Sequence, residues 1–503
     1  MATPPKRSKL QTMSEDFFVM AKSLDLHSGV GIKNDVISRY YQEIQPTNSI
    51  DESNKTITFK FSTANNLLIQ PSHCMIKCTF KIVSSETGGD VPNTVEAIPV
   101  NNLSSSFWEG VDVKLNGFIL ESNDNLYPWR ANIEKTCFYT SQQKQSALDM
   151  CDFMQQQCSY DIIKEAKVDL KNDIILPKLD ADINDGTITG QVLTKSLKYL
   201  TYKTKDLQPE NWYKRYVRWH NKSVTLYDTI HCDLFNQSRY LPPNSEIELT
   251  FHKNKNDALC INTQNANPKV KVKLENFVFI AAMSEVQPEI VNGMMSTTVD
   301  NKKVFKIPLV RAALQYHSIS VGNRDFSKTS SFLKEGNILP RRLINGFIFA
   351  KSHAGDFTKD PFHWHDIGAV SQHVKVGGQI KPFPMAICND RETDTEVLDK
   401  RGDNISDFLL TLLATTGTLF NNTALGINTY NWSSGNALTG YDFTSGDCQD
   451  VFSFPDRKAI EFHCRVFAPD PLNNYSHILY AEYNSEYTID EDRVVTIERN
   501  KLF

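Results

Sequence analysis

The sequence predicts an all-β protein with two sandwiches in tandem, and three observations point to this fold class. Short runs in which apolar and polar residues alternate recur along most of the chain, as expected for strands with one buried face. Turn-rich segments separate these runs, which is typical of sandwiches or barrels rather than of alternating strands and helices. The 29 Phe and 18 Tyr residues suit sheet surfaces, because sheets favour flat and β-branched side chains.

Length and composition restrict the class of protein further. A chain of 503 residues is too long for one hydrophobic core, so we expect more than one domain. Hydrophobic residues make up 40% and charged residues 22%, which argues against global disorder. The net charge of only -5 excludes a protein that coats nucleic acid through its overall charge, although a local basic face is left open. No apolar run reaches the roughly 18 residues that span a bilayer, and residues 1–10 do not resemble a signal peptide.

The chain divides into three predicted regions. Residues 1–35 form an amino-terminal arm, in which Ser14 begins a short capped amphipathic helix. Residues 36–285 form the first sandwich, with a helical insertion near 131–165. Residues 286–503 form the second sandwich, and no repeat of residue identity relates it to the first.

Strands of the first sandwich follow from period-two alternation. Residues 56–61 and 75–82 alternate cleanly, and residues 111–115 do the same. Asn116-Gly117 then predicts a tight hairpin turn into residues 118–120, because both residues tolerate a left-handed backbone.

The remainder of this half combines helix, loop and strand signals. Residues 131–157 carry apolar residues at helical spacing and predict the longest helix, followed by a looser stretch over about 164–210. The aromatic and basic residues 212–220 indicate a strand or loop with a cationic rim, with stacking on nucleic acid as an alternative. Residues 230–234 and 247–251 predict two half-buried strands joined by a Pro-Pro-Asn turn.

The second sandwich shows the same kind of pattern. Short apolar or alternating runs separated by turn residues predict its strands, together with one strand that leads into it. These runs are residues 270–280, 304–310, 314–321, 339–350, 367–376, 408–413, 459–467, 477–483 and 494–498.

Ten cysteines spread over the chain do not form a dense disulfide framework. Cys74 and Cys78 have an even spacing that places both thiols on one face of a strand, and Cys151 and Cys158 fall in the predicted helix. We therefore expect reduced and mostly buried thiols in a protein made inside the cell. The glycosylation-like motifs at Asn221 and Asn431 are then chance matches.

No enzyme or cofactor site emerges from the sequence. His363, His365, Asp366 and His373 form the densest group of ligand types, but no third ligand completes a closed zinc site, and hydrogen-bonded or solvated histidines are the preferred interpretation. The chain contains no nucleophile elbow, phosphate-binding loop or metalloprotease helix. Residues 401–403 spell the integrin-binding tripeptide Arg-Gly-Asp, for which a plain turn is preferred because short motifs often occur by chance.

Four groups of residues, three in the first half of the chain and one near its end, follow one another in a characteristic order. They are Leu115-Asn116-Gly117, Tyr127-Pro128 with Arg130, Asp233-Leu234-Phe235-Asn236, and Tyr480-Ala481-Glu482. Between the last two groups come Pro340, before a basic strand, and Pro361-Phe362, in a loop. Their order and spacing resemble those of the major capsid proteins of Polinton/Maverick elements and adintoviruses. Trp129 and Leu259 depart from the usual Tyr and Phe of that family, and residues 385–450 diverge from it.

The resemblance implies a double jelly roll, in which two eight-stranded jelly-roll sandwiches lie side by side in one chain. It implies a structural major capsid protein without cofactors, which forms a homotrimer and then the icosahedral shell of a double-stranded DNA virus or Polinton-type element. Three chains with two similar sandwiches each present six near-equivalent sides, which suits a hexagonal lattice.

The same resemblance suggests partners and location. A separate penton or minor capsid protein would occupy the vertices, and the shell would contact packaged DNA. The protein would be made in the host cytoplasm and reside in the virion, with the nucleus as one option for assembly. The alternative function is a receptor- or carbohydrate-binding β-sandwich protein, since jelly rolls also serve as lectins. A cupin-type enzyme is disfavoured because the metal triad is absent.

The basic cluster of Lys6, Arg7 and Lys9 follows two prolines and suggests a nuclear-import signal. Two other interpretations stay open, namely an arm that touches packaged DNA and a solvated tail.

Overall fold

The computed structural model describes most of the chain between residues 35 and 498. The described residues are 35–64, 66–92, 95, 97–122, 125–155, 215–263, 265–330, 339–380, 387–388, 401–419, 423–429, 431–443, 460–466 and 472–498. The predictions for the arm, its helix, the basic cluster at Lys6, and residues 164–210 lie outside these residues.

Strands of the first half pair only with one another in the described part of the chain. One sheet has the order β1-β11-β4-β8, with β3 beside β11, a second has the order β2-β9-β6-β7, and β5 pairs with β10. The strands are β1 (Val36–Ile44), β2 (Thr56–Ser62), β3 (Leu67–Ile69), β4 (Met75–Ser84), β5 (Ala97–Pro99), β6 (Trp108–Leu115), β7 (Phe118–Glu121), β8 (Ser223–Thr229), β9 (Glu246–Lys253), β10 (Ile261–Thr263) and β11 (Val270–Val286).

Strands of the second half form a matching pair of sheets. One has the order β12-β22-β14-β20, with β23 beside β22, and the other has the order β13-β21-β16-β17, with β18 beside β16. The strands are β12 (Phe305–Ile319), β13 (Asp325–Ser330), β14 (Arg342–Phe349), β15 (Trp364–His365), β16 (Ala369–Val376), β17 (Gln379–Ile380), β18 (Ile387–Cys388), β19 (Ser434–Gly435), β20 (Leu438–Asp442), β21 (Ile460–Val466), β22 (Tyr475–Ile489) and β23 (Val495–Glu498).

The two halves share one topology. If the eight strands on the main path of the two large sheets are numbered in chain order within each half, both halves have the orders 1-8-3-6 and 2-7-4-5. Two four-stranded antiparallel sheets connected in this order form a jelly roll. The chain is therefore a double jelly roll, and the predicted fold class is confirmed.

Local chemistry explains the strands that the sequence predicted. Ile247, Leu249 and Phe251 on β9 are fully buried and alternate with partly exposed residues. Asn116 and Gly117 have φ angles of 51° and 79°, as a tight turn with a left-handed backbone requires, so the predicted hairpin of β6 and β7 is confirmed. Seven cysteines in the described residues are free and buried, as expected: Cys74, Cys78, Cys137, Cys151, Cys232, Cys260 and Cys464.

Helices account for several of the incorrect predictions. In the described part of the chain, the α-helices with defined bounds are α1 (Leu103–Ser106), α2 (Tyr127–Phe138), α3 (Ser141–Gln145), α4 (Pro288–Asn301), α5 (Ala350–Ala354) and α6 (Arg401–Thr416). The single long helix over 131–157 is wrong because Tyr139 is extended and Thr140 forms a capping box with Gln143, which starts a new helix. The strand over 408–413 and the turn at 401–403 are also wrong, since both lie in α6. Residues 215–219 are helical, not a strand or loop.

The predicted strand over 230–234 is the most informative error. Strand β8 ends at Thr229, and Asp233–Asn236 form a 3-10 helix. His231 and Asp233 were expected on a solvated face, but both are buried. Two shorter strands predicted over 304–310 and 314–321 are one continuous strand, β12.

Candidate functional site at the junction of the two jelly rolls

Helix α2 connects the two jelly rolls through an apolar core. It starts at Tyr127, with Pro128 in its first turn where a missing N–H costs nothing, and its side chains are buried as far as Cys137. Trp129 and Ile133 pack in one hydrophobic cluster with Phe362, Trp364 and many other residues of the second half. The helix therefore belongs to the interior of the whole molecule.

Hydrogen bonds fix the tryptophans on both sides of this core. The Trp129 indole N–H donates to the Pro361 carbonyl oxygen at 3.2 Å. The Trp364 indole N–H donates to Asn132 Oδ1 at 2.9 Å in the reverse direction, from the second half to α2. Each large ring is thus placed by a directional bond as well as by packing.

Beside this core lies a network of buried charges centred on Arg130, whose exposure is 3%. Arg130 Nε lies 2.8 Å from Glu134 Oε1, and one terminal nitrogen lies 2.8 Å from Asp233 Oδ1. The other terminal nitrogen donates to Glu121. One planar guanidinium therefore binds three carboxylates from three segments of the first jelly roll.

The network continues into the second jelly roll. Asp233 Oδ1 also accepts the Ala312 backbone N–H of β12 at 3.1 Å, and the Tyr480 hydroxyl of β22 lies 3.3 Å from Glu134 Oε1. The same hydroxyl lies 3.2 Å from Glu482 Oε1. Strands from the second half therefore bind the same carboxylates that Arg130 holds. We call this set of residues the junction network: Glu121, Arg130, Glu134, His231, Asp233, Arg311, Arg342, Tyr480 and Glu482.

Burial and pairing act in opposite directions on the ionisation of these groups. Burial alone would raise the pKa of Glu134, but Arg130 and His231, whose Nδ1 lies 2.7 Å away, outweigh it and hold the pKa at about 2. Burial would also lower the pKa of Arg130, yet its carboxylate partners raise it well above the ordinary value. Burial raises the pKa of Glu482 because Arg342, at 3.8 Å, only partly compensates. Arg130 and Glu134 therefore form a charged pair near neutral pH.

The sequence-predicted signature residues divide into those that meet here and those that do not. Arg130, Asp233, Tyr480 and Glu482 lie in the junction network, and Asn236 Nδ2 reaches Glu134 at 3.5 Å. Several others pack beside it or in the adjacent cores: Tyr127, Pro128, Leu234, Phe235, Pro340, Pro361, Phe362 and Ala481. Leu115 packs in the same hydrophobic cluster as Tyr127 and Leu234, whereas Asn116 and Gly117 form the turn of the β6–β7 hairpin. Their assignment as signature residues stays a prediction, and Lys6, Arg7 and Lys9 lie outside the described residues.

Sequence reasoning missed Glu121, Glu134 and His231, as well as a second buried ion pair. Lys135 Nζ lies 2.6 Å from Asp228 Oδ2 with both side chains inaccessible to solvent. The sequence offered little signal: Glu134 and Lys135 lie in the helix predicted over 131–157 and Arg130 just before it, and these charges alone do not indicate burial.

The histidine group that was considered for metal binding does not assemble as one site. The rings of His363 and His365 lie 4.3 Å apart, whereas His373 stacks on His463 across β16 and β21 at 5.0 Å. In the described ranges, no three His, Cys, Asp or Glu side chains are arranged so that they could hold a metal ion. No helix there is long and apolar enough to cross a membrane.

Comparison with known proteins places the fold. No family model matches the chain. An uncharacterised protein of Caenorhabditis elegans is 18% identical over 449 residues, which cover 86% of this chain and 91% of that protein.

Several solved structures resemble the chain in three dimensions. The Sputnik virophage structure has a TM-score of 0.53 at 9% identity and covers 96% of this chain and 92% of its own. The Faustovirus major capsid protein has a TM-score of 0.52 at 10% identity, with 96% and 94% covered. The PBCV-1 virus capsid has a TM-score of 0.51 at 9% identity, with 94% and 100% covered. The chain thus has the double jelly-roll fold of these viral major capsid proteins.

Proposed function

We propose that this chain is a major capsid protein, whose work is assembly and not catalysis. The observation that supports it best is the shared double jelly-roll fold, which covers at least 94% of the chain in comparisons with three virus capsid structures. The shell would belong to a double-stranded DNA virus or a Polinton-type element. The particular similarity to Polinton and adintovirus proteins rests on the sequence motifs.

The proposed assembly unit is a homotrimer. Strands β1 and β12 hold the same place in the two jelly rolls, each at the outer end of its sheet and bound to one described strand, β11 or β22. Ile37 and Tyr41 on β1 and Tyr316 on β12 are more than half exposed. Long edge strands with apolar side chains invite association, and a closed ring of three chains would bury them.

Further partners and the location follow from the same proposal. A penton or minor capsid protein would close the vertices, and the inner surface or the basic arm would touch packaged double-stranded DNA. The protein would be made in the host cytoplasm and reside in the virion, and Lys6, Arg7 and Lys9 would direct it to a nucleus. We place the domain boundary near residue 285, where β11 ends and α4 begins.

Light scattering and electron microscopy of the purified full-length chain test this function. The trimer has three times the mass of the 57.2 kDa chain, 171.6 kDa, and we expect that mass or larger particles. Images should show capsomers with a pseudo-hexagonal outline. A protein that stays monomeric at every concentration, with or without proteins encoded beside it, would contradict the proposal.

A further inference from the structure

The junction network buries charged groups, and a gain in stability alone does not explain why. Its charged groups are removed from water at a cost that can exceed the gain from pairing, and apolar residues of similar volume are often as stable. The apolar core around Trp129 and Trp364 already joins the two halves without it. Apolar contacts are not directional, whereas charge-assisted hydrogen bonds define distances and angles.

We propose that Arg130 is a positioning residue that fixes the orientation of one jelly roll relative to the other, and thereby the shape of the capsomer. The inference rests on the proposed capsid function, because six near-equivalent sides in a trimer require a defined angle between the two rolls.

The first step of the argument concerns the three carboxylates that Arg130 binds. Glu121 comes from β7, Glu134 from α2, the helix that carries Arg130 itself, and Asp233 from a 3-10 helix 112 residues after Glu121. Three anions in a buried site repel one another unless a cation lies between them. Arg130 therefore holds these three segments in one arrangement.

The second step concerns what those carboxylates then bind. Asp233 binds two neighbouring residues of β12. Its Oδ1 accepts the Ala312 N–H, and its Oδ2 lies 3.5 Å from Arg311 Nε. Glu134 binds the Tyr480 hydroxyl in β22. Strands β12 and β22 are neighbours in the same sheet, so the second jelly roll is fixed at two points along that sheet. Two directional contacts of this kind restrict rotation as well as translation.

Variants that remove charge without removing volume provide the test. Arg130→Met alone leaves three buried carboxylates without their cation and is expected to fold poorly. The informative variant combines Arg130→Met with Glu121→Gln, Glu134→Gln and Asp233→Asn, which removes the repulsion together with the cation. Lys60→Met is the matched control, because Lys60 forms an exposed ion pair with Glu246 at 2.8 Å outside the junction.

Three measurements separate orientation from folding and from assembly. Hydrogen exchange reports whether both cores are formed, small-angle scattering of the monomer reports the relative placement of the rolls, and light scattering reports the trimer. For the neutral variant we expect protected cores, an altered scattering profile and a trimer yield lower by roughly tenfold or more, since each 1.4 kcal/mol is a tenfold change. The Lys60→Met control should match the native chain in all three.

The outcomes distinguish this inference from the proposed function. An unchanged scattering profile in a neutral variant with protected cores would overturn the positioning role of Arg130. An altered profile supports that role even if the native chain itself fails to form trimers, a result that would count against the capsid function alone.

Discussion

Gly346 shows at the scale of one residue how tightly the apolar core around Trp129 and Trp364 is packed. It lies on β14, and a Cβ atom added there would approach Trp364 Cε3 to 2.5 Å and Leu438 Cδ2 to 2.6 Å. Trp364 is held by its bond to Asn132, and Leu438 is completely buried. A larger residue at this position therefore requires these side chains to shift.

We expect Gly346→Ala to lower the free energy of unfolding by about 1–3 kcal/mol, the usual cost of overpacking. Gly293→Ala is the control, because Gly293 lies in α4 and, apart from the backbone of its own helix and its chain neighbours, no atom lies within 4 Å of its added Cβ. That change should be neutral or raise stability by up to about 1 kcal/mol through helix propensity. Urea unfolding of both variants measures the difference, and equal effects would argue against a packed junction.

Residues also show why part of the site escaped prediction. Ile247, Leu249 and Phe251 alternate because one face of β9 is buried, and that period is visible in the sequence. Ile230 to Leu234 alternate in the same way, but His231 and Asp233 are buried too. Asp233 binds Arg130, 103 residues earlier in the chain. Pairing over such a distance leaves no local pattern, so only the resemblance to a family drew attention to both residues.

At the scale of elements, the β6–β7 hairpin of the first jelly roll also contacts the second. Asn116 Oδ1 accepts the backbone N–H of Glu246 at 2.9 Å, and Asn116 Nδ2 donates to the Arg493 carbonyl at 3.1 Å. Arg493 in turn donates to the Pro243 carbonyl. The turn thus connects β9 in the first jelly roll to the loop between β22 and β23 in the second.

Asn116→Ala removes both bonds and places alanine at a positive φ, so we expect a loss of about 1–3 kcal/mol in the free energy of unfolding. Asn116→Gly accepts the backbone angle but also loses both bonds, and it should recover only part of that loss. Thermal unfolding separates the two contributions. Equal stability of the glycine variant and the native chain would mean that the side-chain bonds contribute nothing.

Elements were predictable to the extent that their signals are local. The Asn116-Gly117 turn and the strand before it follow from residue types alone. The apolar run from Phe408 to Leu413 fits a strand as well as a helix, and α6 forms because Phe408 and Leu412 pack on one buried face while Leu410 is more exposed. Which neighbour covers a short apolar run is decided by tertiary packing.

At the scale of the whole molecule, we expect the two jelly rolls to differ in their response to acid. Among the residues that the structure describes, five histidines have a pKa below the ordinary value, chiefly because burial disfavours the charged ring: His317, His353, His365, His373 and His477. All five lie in the second jelly roll. In the first, His231 and His252 instead lie against the carboxylates of Glu134 and Asp112.

The sign of the pH effect follows from the direction of these shifts. A histidine with a lowered pKa in the folded protein takes up a proton more readily when unfolded. Its contribution to stability is complete above the unfolded pKa of about 6.5 and decreases as the pH falls below that value. Glu134, with a pKa of about 2, contributes stability that is lost only when the pH falls below the ordinary pKa of a glutamate. Acid should therefore weaken the second jelly roll first.

Hydrogen exchange at pH 7.5 and at about pH 5.5 tests this order, because these two values lie on either side of the ordinary histidine pKa. After correction for the intrinsic pH dependence of exchange, amides of β14 and β22 should lose protection while those of β6 and β9 keep it. His477 is the group to change, since it stacks on Phe347 at 4.7 Å and faces His317 and the positive charge of Lys328. His477→Phe keeps the stacked ring and removes the titrating group, so it should flatten the loss of protection. An equal loss of protection in both jelly rolls would contradict this prediction. So would a His477→Phe variant that loses as much protection between the two pH values as the native chain.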